Sequence, residues 1–451
     1  MSEEEREELI NQVHILEQGH KWKAIANLLK ELNEMDAADI IKEISPEVTT
    51  LVFRSLPKDF AADLFANLEP KEQGVILRGA TDKEVGDLLE ELMVDDAVDA
   101  LEELPANVVA KLLTYVSPET RATINKFLQY KENTVGSIMT AEFIALKKSM
   151  TVLAAMEMIK RAASESEQIY ICYVMDESRH LEGVVSLRDL ILAKDDMLIG
   201  DIMTDNPIST TTSEDQEAVT ELFSKYDLLA IPVVDAENRL VGIVTVDDIF
   251  DVIEEEVTED MEKMAAVTPS DKPYLEAGVF HLAKNRIIWL VLLMFSSIFS
   301  SFVLTKNNEV FSAIPLLIAF IPMLTDAAGN AGSQSSATII RSIATHEISG
   351  KDFLRVFWKE ARIGMVAGVV LAAFNFVRMI IQYGNAEVAL AVSIALIFTV
   401  IIAKLLGCIF PFLARIVKVD PALMASPLIT TIMDTLSLVV YIGVCRIVLH
   451  I

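Results

Sequence analysis

The carboxyl-terminal part of this chain is a series of long apolar segments, and it constrains the fold more than any other feature. Five such stretches follow residue 286, near 287–304, 311–340, 363–383, 388–414 and 422–446. A helix of about 20 apolar residues can span a bilayer because its backbone is hydrogen-bonded internally. The sequence therefore predicts an all-α transmembrane domain with five helices, the second of which Pro315 and Pro322 could kink.

Basic residues in the loops predict the orientation of these spans. Two loops hold most of the Lys and Arg residues of the transmembrane region. They are the loop between the second and third spans and the loop between the fourth and fifth, with Arg341, Lys351, Arg355, Lys359, Arg362, Arg415 and Lys418. Basic loops stay on the cytoplasmic side. We therefore expect a multi-pass protein of the cytoplasmic membrane, with its amino-terminal part in the cytoplasm and its carboxyl terminus outside.

The charge of the chain divides it into two unlike parts. Of 38 Lys and Arg and 66 Asp and Glu, residues 281–451 hold only 13 and 8, so the preceding part carries 25 basic against 58 acidic residues. An acidic surface is a poor partner for nucleic acid, which recruits Lys and Arg. It suits cations instead, although many acidic residues simply keep a surface soluble.

A helical repeat occupies the amino-terminal region. The segments AADII (37–41), AADLF (61–65) and VGDLL (85–89) recur every 24 residues. A period of this size is typical of stacked helical hairpins. We predict an acidic α-helical superhelix over 1–132.

Residues 133–253 contain an α/β duplication. GSIMT (136–140) returns as GDIMT (200–204), and LEGVVSLRDLI (181–191) returns as LVGIVTVDDIF (240–250). Both copies resemble CBS domains, so we predict a tandem CBS pair. A linker helix with an acidic face is predicted within 254–280, followed by the transmembrane domain at 281–451.

The fifth apolar segment carries a carboxylate, Asp434, at a position that should lie within the membrane. Ser426, Thr430 and Asp434 are spaced i, i+4 and i+8, so they share one helical face. Charged groups inside a membrane are costly and mark ion pathways or buried ion pairs. The pattern predicts an ion-binding face, and an ion pair between Asp434 and Lys404 of the fourth segment is the alternative.

The second segment has a similar polar face. Asp326, Asn330 and Gln334 also recur at i, i+4 and i+8, whereas Gly329 and Gly332 permit close helix packing or local unwinding. Carboxylate, amide and hydroxyl oxygens favour Mg²⁺, Ca²⁺ or Mn²⁺, and an ion held by few carboxylates keeps most of its water, as Mg²⁺ does. A dimer around the pore would supply two copies of Asp434.

Acidic side chains also recur in the soluble part. Asp95 and Asp99 are four residues apart, and the stretch from Asp248 to Asp260 is dense in carboxylates. Like charges at these spacings destabilise a helix unless a cation bridges them. A solvated acidic face is an equally good interpretation for any one residue.

The CBS pair suggests a nucleotide only weakly. In nucleotide-binding CBS domains a hydroxyl residue is followed three positions later by Asp, as in Ser186 with Asp189 and Thr245 with Asp248. The chain has no P-loop, H-E-x-x-H or G-x-S-x-G motif, so we predict that it is not an enzyme.

The order of these regions, with PMLTDAAGNAGSQSS (322–336) and DPALMASPLITTIMD (420–434), resembles the MgtE family of magnesium channels. The resemblance implies a homodimer in which Asp434 binds hydrated Mg²⁺ and Gly329 and Asn330 line the pore. It implies that cytosolic Mg²⁺ closes the pore through acidic sites at Asp63, Asp95, Asp99, Glu217, Asp227, Asp248, Asp251, Glu256, Glu259 and Asp260. It also implies that ATP can bind near Tyr170, Arg188 and Asp189.

Three positions depart from the family pattern. Ser426 stands where some members of the family that this chain resembles have asparagine, Ala328 stands where a second glycine is frequent, and Asp63 stands in place of a glutamate. The first two bear on pore width and selectivity. Two other functions stay open from the residues: a broader exporter or exchanger of Mn²⁺ or Co²⁺, and a nucleotide sensor that uses its helices as an anchor.

Overall fold

The computed structural model describes residues 1–102, 104–163, 166–270, 274–275, 277–345, 347–424 and 426–450, with Ser426 described by its backbone alone. The chain forms two compact units, Met1–Ile253 and Glu254–Ile451.

Among the described residues, ten short helices form the amino-terminal part of the first unit. They are α1 (Glu3–Gln18), α2 (Trp22–Leu29), α3 (Glu34–Ile41), α4 (Pro46–Phe53), α5 (Lys58–Ala66), α6 (Pro70–Gly79), α7 (Asp82–Glu91), α8 (Val94–Glu102), α9 (Ala106–Leu112) and α10 (Pro118–Phe127). Proline stands in the first turn of α4, α6 and α10, where its missing N–H costs nothing. The 24-residue repeat falls on α3, α5 and α7, and each packs on the next, which confirms the stacked helical architecture.

Two α/β copies follow. The first contains β1 (Ala145–Leu146), α11 (Val152–Ala162), β2 (Ile171–Met175), β3 (Leu181–Ser186), α12 (Leu187–Leu192), α13 (Ile199–Ile202) and β4 (Thr204–Asp205). The second contains β5 (Thr210–Thr211), α14 (Gln216–Tyr226), β6 (Ala230–Val234), β7 (Leu240–Thr245) and α15 (Val246–Met264).

The two sheets repeat one pairing scheme. β1 pairs parallel with β2 and β2 antiparallel with β3, as β5 does with β6 and β6 with β7. The predicted duplication is therefore confirmed. One apolar core joins the amino-terminal helices to the second copy, where Val233, Val244 and Ile249 are buried in it.

Helix α15 crosses the predicted limit between the CBS pair and the linker. It starts directly after β7 and continues for 19 residues, past residue 253. The acidic residues of the linker therefore belong to a helix whose first turn is part of the second α/β copy.

The second unit is helical. It contains α16 (Val279–Lys306), α17 (Asn308–Ala313), α18 (Ile321–Ala344), α19 (Phe353–Tyr383), α20 (Ala386–Ile416) and α21 (Ser426–Leu449), with 3₁₀ turns at Pro315–Phe320, Gly350–Asp352 and Pro421–Met424. Among the described residues, four helices are long and apolar enough to cross a membrane: α16, α19, α20 and α21.

The second predicted span differs from the structure in two respects. Residues 311–320 are not continuous with α18, because the chain turns through a 3₁₀ segment that begins at Pro315. Pro322 lies in the first turn of α18, where it starts the helix and does not kink it. α18 is 24 residues long but is not apolar enough to join the other four, so the count of five spans stays a prediction.

Glycines bring α18 close to its neighbours. A Cβ on Gly329 would lie 2.9 Å from Thr430 Cγ2, and one on Gly332 would lie 2.5 Å from Ile429 Cγ2. Both neighbours belong to α21. Because α18 is an unbroken helix, the glycines serve close packing, and the expected alternative of local unwinding is wrong.

Candidate functional site

Two helix starts bring carboxylates together inside the first unit. Asp95 and Asp96 lie in the first turn of α8, and Asp247 and Asp248 lie in the first turn of α15. Acidic residues are favoured there because the helix dipole is positive at its amino-terminal end. Glu142 and Glu167, from the first α/β copy, interact electrostatically with them. We name these six residues the acidic cluster.

Burial, and after it mutual repulsion, raises the pKa values of the carboxyl groups in the acidic cluster. Burial, with repulsion from Asp248 and Glu142, raises the pKa of Asp96 to about 6. Burial also raises the pKa of Asp248 to about 6, although hydrogen bonds from Thr245 lower it. The pKa of Glu167 rises to about 7 through burial and repulsion from Asp248 and Asp247. Each value reports a carboxylate that is costly to ionise without a counter-charge.

Asp95 is the most constrained member. Burial, then repulsion from Asp96 and Asp248, holds its pKa well above the usual range of a carboxyl group. Its Oδ1 atom is buried and has no hydrogen-bond partner among the described residues. An unsatisfied buried oxygen is costly. A cation or its bound water would satisfy this oxygen.

The acidic cluster lacks the geometry of a tight metal site. Among the side chains that the structure describes, no three from His, Cys, Asp and Glu are arranged to hold one ion directly. Direct Ca²⁺ coordination needs six to eight oxygens, whereas Mg²⁺ commonly keeps several waters and uses one or two carboxylates. The cluster therefore fits a hydrated divalent ion better than a stripped one.

Sequence reasoning identified only part of this cluster. It selected Asp95 and Asp248 but missed Asp96, Asp247, Glu142 and Glu167. The first two lie beside selected residues in the pairs DD at 95–96 and 247–248, a signal that could have been used. Glu142 and Glu167 lie outside the regular elements, and only the tertiary fold brings them near.

The other residues of the first unit that were predicted to sense Mg²⁺ are not members of the acidic cluster. Asp63 of α5 repels Asp96, and burial together with Glu34 and Asp59 raises the pKa of Asp63. Asp99 and Asp251 are exposed. Glu217 and Asp227 stand at opposite ends of α14, where Asp227 ends the helix in the left-handed conformation.

The linker part of α15 carries a second, mixed-charge group inside the second unit. Lys263 Nζ lies 2.7 Å from Glu259 Oε1 and 2.8 Å from Asp420 Oδ2. Burial, then the charge of Asp420, raises the pKa of Asp260. Asp420 Oδ1 also accepts the backbone N–H of Ala422, at the 3₁₀ turn that precedes α21. Glu256, one helical turn earlier, is partly buried.

Helices α18 and α21 of the second unit carry exposed polar residues. Asp326, Asn330 and Gln334 of α18 are all exposed, and so is Asp434 of α21. The two helices are in contact at Gly329 and Thr430, immediately beside Asn330 and one turn before Asp434. We name these four exposed residues the polar face. The side chain of Ser426 lies outside the described residues. Thr430 donates its hydroxyl to the carbonyl of Pro427.

Lys404 does not pair with Asp434. Its ammonium lies 3.4 Å from the Ala331 carbonyl and 3.2 Å from Ser335 Oγ, on the buried side of α18. Ser335 Oγ in turn donates to Glu360 Oε2 at 2.5 Å. No ion pair to Asp434 occurs in the described part of the chain. The alternative prediction, an ion pair between Asp434 and Lys404, is therefore wrong.

The two α/β copies differ at their hydroxyl–aspartate pairs. In the first, Ser186 Oγ donates to Asp189 at 2.6 Å, and Asp189, Arg188 and Tyr170 are exposed. In the second, Thr245 Oγ1 donates to Asp248 at 2.6 Å, and that carboxylate belongs to the acidic cluster. Only the first copy leaves its predicted nucleotide residues open to solvent.

Family models match most of the chain. The MgtE model, described as a divalent cation transporter, matches residues 321–444. The MgtE intracellular N domain matches residues 23–133, and CBS domains match residues 135–196 and 199–255. These matches confirm the predicted helical region and tandem CBS pair.

Curated relatives extend over nearly the full length. The magnesium transporter MgtE of Thermus thermophilus is 37% identical over 431 residues, covering 95% of this chain and 96% of that protein. The magnesium transporter MgtE of Bacillus subtilis is 33% identical over 448 residues, covering 98% of each.

Two solved structures resemble the first unit. The crystal structure of the soluble part of a magnesium transporter has a TM-score of 0.53 and 35% identity, covering 56% of this chain and 99% of that one. The cytosolic domain of the Mg²⁺ channel MgtE in complex with ATP has a TM-score of 0.51 and 37% identity, covering 54% and 99%. The chain therefore belongs to the MgtE family of divalent cation transporters.

Proposed function

We propose that this protein is a Mg²⁺-selective channel for Mg²⁺ uptake across the cytoplasmic membrane, closed by Mg²⁺ that binds its acidic cytosolic part. The relatives are named magnesium transporters, which supports the choice of ion. The observation that carries the proposal is Asp434, an exposed carboxylate on a membrane helix with no ion pair in the described part of the chain. An intramembrane carboxylate of this kind needs water and a cation.

The pore is proposed to lie between two copies of the chain. One copy supplies only one carboxylate at Asp434, whereas two copies would supply the charge that balances a divalent ion. Asn330 and Gly329 stand beside it on α18, and Thr430 and Ser426 precede it on α21. A homodimer would cover the polar face, which is exposed in the single chain.

The gate is proposed to respond to repulsion in the acidic cluster. When Mg²⁺ binds there, it neutralises carboxylates that otherwise oppose the packing of α8 against the second α/β copy. Ligand that binds only the compact arrangement stabilises it by mass action. Asp63, Asp99, Glu217, Asp227, Asp251, Glu256, Glu259 and Asp260 are proposed to contribute further regulatory sites.

The orientation follows the basic loops, with the first unit in the cytoplasm and the carboxyl terminus outside. ATP is proposed to bind the first α/β copy near Tyr170, Arg188 and Asp189, since an MgtE cytosolic domain has been solved in complex with ATP. In this proposal Mg²⁺ crosses the membrane and ATP binds, but neither takes part in a reaction. We therefore propose that the protein is a transporter and not an enzyme.

Uptake into proteoliposomes that contain the full chain tests the proposal. Influx of Mg²⁺, Mn²⁺, Co²⁺ and Ca²⁺ is measured separately, with low and high Mg²⁺ on the side of the first unit. We expect Mg²⁺ to enter fastest and high cytosolic Mg²⁺ to stop it. Equal entry of Mn²⁺ and Co²⁺ would favour a broad exporter or exchanger, and tight nucleotide binding without flux would favour an anchored sensor.

A further inference from the structure

A buried charge relay lies on the inner side of the helix that carries most of the polar face. Lys404 of α20 is 7% exposed and Glu360 of α19 is 8% exposed. Ser335 of α18 lies between them: its hydroxyl is 3.2 Å from Lys404 Nζ and donates to Glu360 at 2.5 Å. The relay therefore joins three helices of the second unit, α18, α19 and α20, through one serine.

The relay lies against the side of α18 opposite the polar face, so its charges can act on cations at that face. Lys404 Nζ also lies 3.4 Å from the carbonyl of Ala331, the residue that follows Asn330. Asp326 and Asn330 are exposed on the other side of this helix, whereas Ser335 is buried. The width of a helix with its side chains is about 10 Å, so the ammonium stands about one helix width from the polar face.

A positive charge at that distance affects cations in a pathway. Coulomb interactions inside a protein are only weakly screened over about 10 Å, and a divalent ion is repelled twice as strongly as a monovalent one. Lys404 on its own would oppose the entry of Mg²⁺ beside Asn330. Glu360 supplies the compensating charge, and Ser335 fixes its position.

We propose that Glu360 is a positioning residue for cation transport, which acts through Ser335 to cancel the charge of Lys404 behind the polar face. The proposal rests on the proposed function as a Mg²⁺ channel. It separates the roles of two carboxylates: Asp434 meets the ion, whereas Glu360 keeps a neighbouring lysine from repelling it.

The two single variants should shift transport in opposite directions. In full-length chain in proteoliposomes, Glu360→Gln leaves Lys404 uncompensated, so the Mg²⁺ concentration for half-maximal uptake should rise about tenfold. Lys404→Met leaves Glu360 as an extra anion, so that concentration should fall. Both variants should unfold at lower temperature, because each leaves one buried charge unpaired.

A role in packing alone predicts another outcome. Both single variants would then lower the maximal rate without opposite shifts of the half-maximal concentration, which would overturn the proposal. Unchanged uptake in Glu360→Gln would also overturn it. Glu347→Gln, an exposed carboxylate in the loop before α19, is the matched control and should leave both quantities unchanged.

The exchanged pair Lys404→Glu with Glu360→Lys covers the case in which a single variant does not fold. It keeps the net charge of the relay, and we expect a half-maximal concentration within about threefold of the parent chain. A folded exchanged pair with a tenfold higher value would refute the proposal. Absence of Mg²⁺ flux in the parent chain would instead refute the channel function itself.

Discussion

The acidic cluster and the polar face both use carboxylates, but they place them in opposite surroundings. In the first unit, Asp95, Asp96, Asp248 and Glu167 crowd together and their pKa values rise through burial and mutual repulsion. In the second unit, Asp326 and Asp434 are exposed carboxylates on two different helices of the polar face. The first arrangement holds mutually repelling carboxylates whose repulsion a cation would relieve, whereas the second leaves its carboxylates exposed.

Buried charges follow different rules in the two units as well. The first unit buries like charges side by side, and the acidic cluster includes no basic residue. The second unit buries Lys404 and Glu360 and connects them through Ser335. A buried like-charge group is unstable without a ligand, whereas a compensated pair is a fixed part of the helix bundle.

The largest expected effect is on the polar face. Asp434→Asn should reduce Mg²⁺ uptake by about a thousandfold, because this carboxylate is proposed to balance the charge of the ion within the membrane. The variant should stay folded, since no ion pair in the described part of the chain is broken. Uptake into proteoliposomes measures this loss.

Glu387→Gln is the matched control for that variant. Glu387 is an exposed carboxylate in the first turn of α20, and its loss should leave uptake within about twofold. Normal uptake in Asp434→Asn would show that Asp434 does not contact the transported ion. The proposed difference in role between the acidic cluster and the polar face would then no longer hold.

The second prediction concerns the pH dependence of the acidic cluster. Its carboxyl pKa values, at about 6 for Asp96 and Asp248 and about 7 for Glu167, exceed those of unfolded chains. At pH values between the unfolded and the folded pKa of each carboxyl, the folded state binds more protons than the unfolded state. The free energy of unfolding therefore falls as pH rises. In Mg²⁺-free buffer the free energy of unfolding of the isolated unit 1–253 should therefore drop from pH 4 to pH 8, by up to about 3 kcal/mol for each of these three carboxyls.

Denaturant titrations with and without Mg²⁺ measure this dependence. Added Mg²⁺ should flatten the curve by stabilising the unit at neutral pH and not at pH 4, where the carboxyls are protonated. A stability that rises with pH in Mg²⁺-free buffer would contradict the raised pKa values.

The third prediction separates gating from transport. Asp95→Asn with Asp248→Asn removes two charges from the acidic cluster, so Mg²⁺ can no longer favour the closed arrangement as strongly. We expect the cytosolic Mg²⁺ concentration that halves the flux to rise about thirtyfold, equivalent to about 2 kcal/mol, while the flux at low cytosolic Mg²⁺ stays normal.

Asp205→Asn, on the exposed strand β4, is the control and should not shift the inhibitory concentration. Limited proteolysis of the linker gives a second readout. Equal cleavage rates in low and high Mg²⁺ for the parent chain would argue against a gate controlled by the acidic cluster.

The smallest expected effect is on helix packing beside the polar face. Gly332→Ala places a Cβ 2.5 Å from Ile429 Cγ2, closer than the 2.9 Å that Gly329→Ala gives to Thr430 Cγ2. Overpacking of this kind costs about 1 to 3 kcal/mol, and we expect Gly332→Ala to be the more damaging. Gly443→Ala on α21, whose Cβ would meet nothing within 4 Å, should be neutral. Thermal unfolding in detergent measures all three.

The repeated patterns made much of the architecture predictable. The 24-residue repeat identified helices that do stack, and the duplicated GVVSLRD and GIVTVDD segments identified two sheets with one pairing scheme. The second membrane segment was harder, because residues 311–320 are apolar in sequence but turn at Pro315 before α18 begins. Apolar composition reports burial in lipid or protein, and it does not report where a helix starts.

The sequence alone determined which residues carry charge and how they recur along each helix, because helical periodicity is a local property. That was sufficient to select Asp434 with Asn330, and Asp95 with Asp248. Only the tertiary structure decided which charges meet. It brought Glu142 and Glu167 to Asp96 and Asp248, and it turned Lys404 towards Ser335 and Glu360 and away from Asp434. Such encounters depend on contacts between distant segments, and no local pattern encodes them.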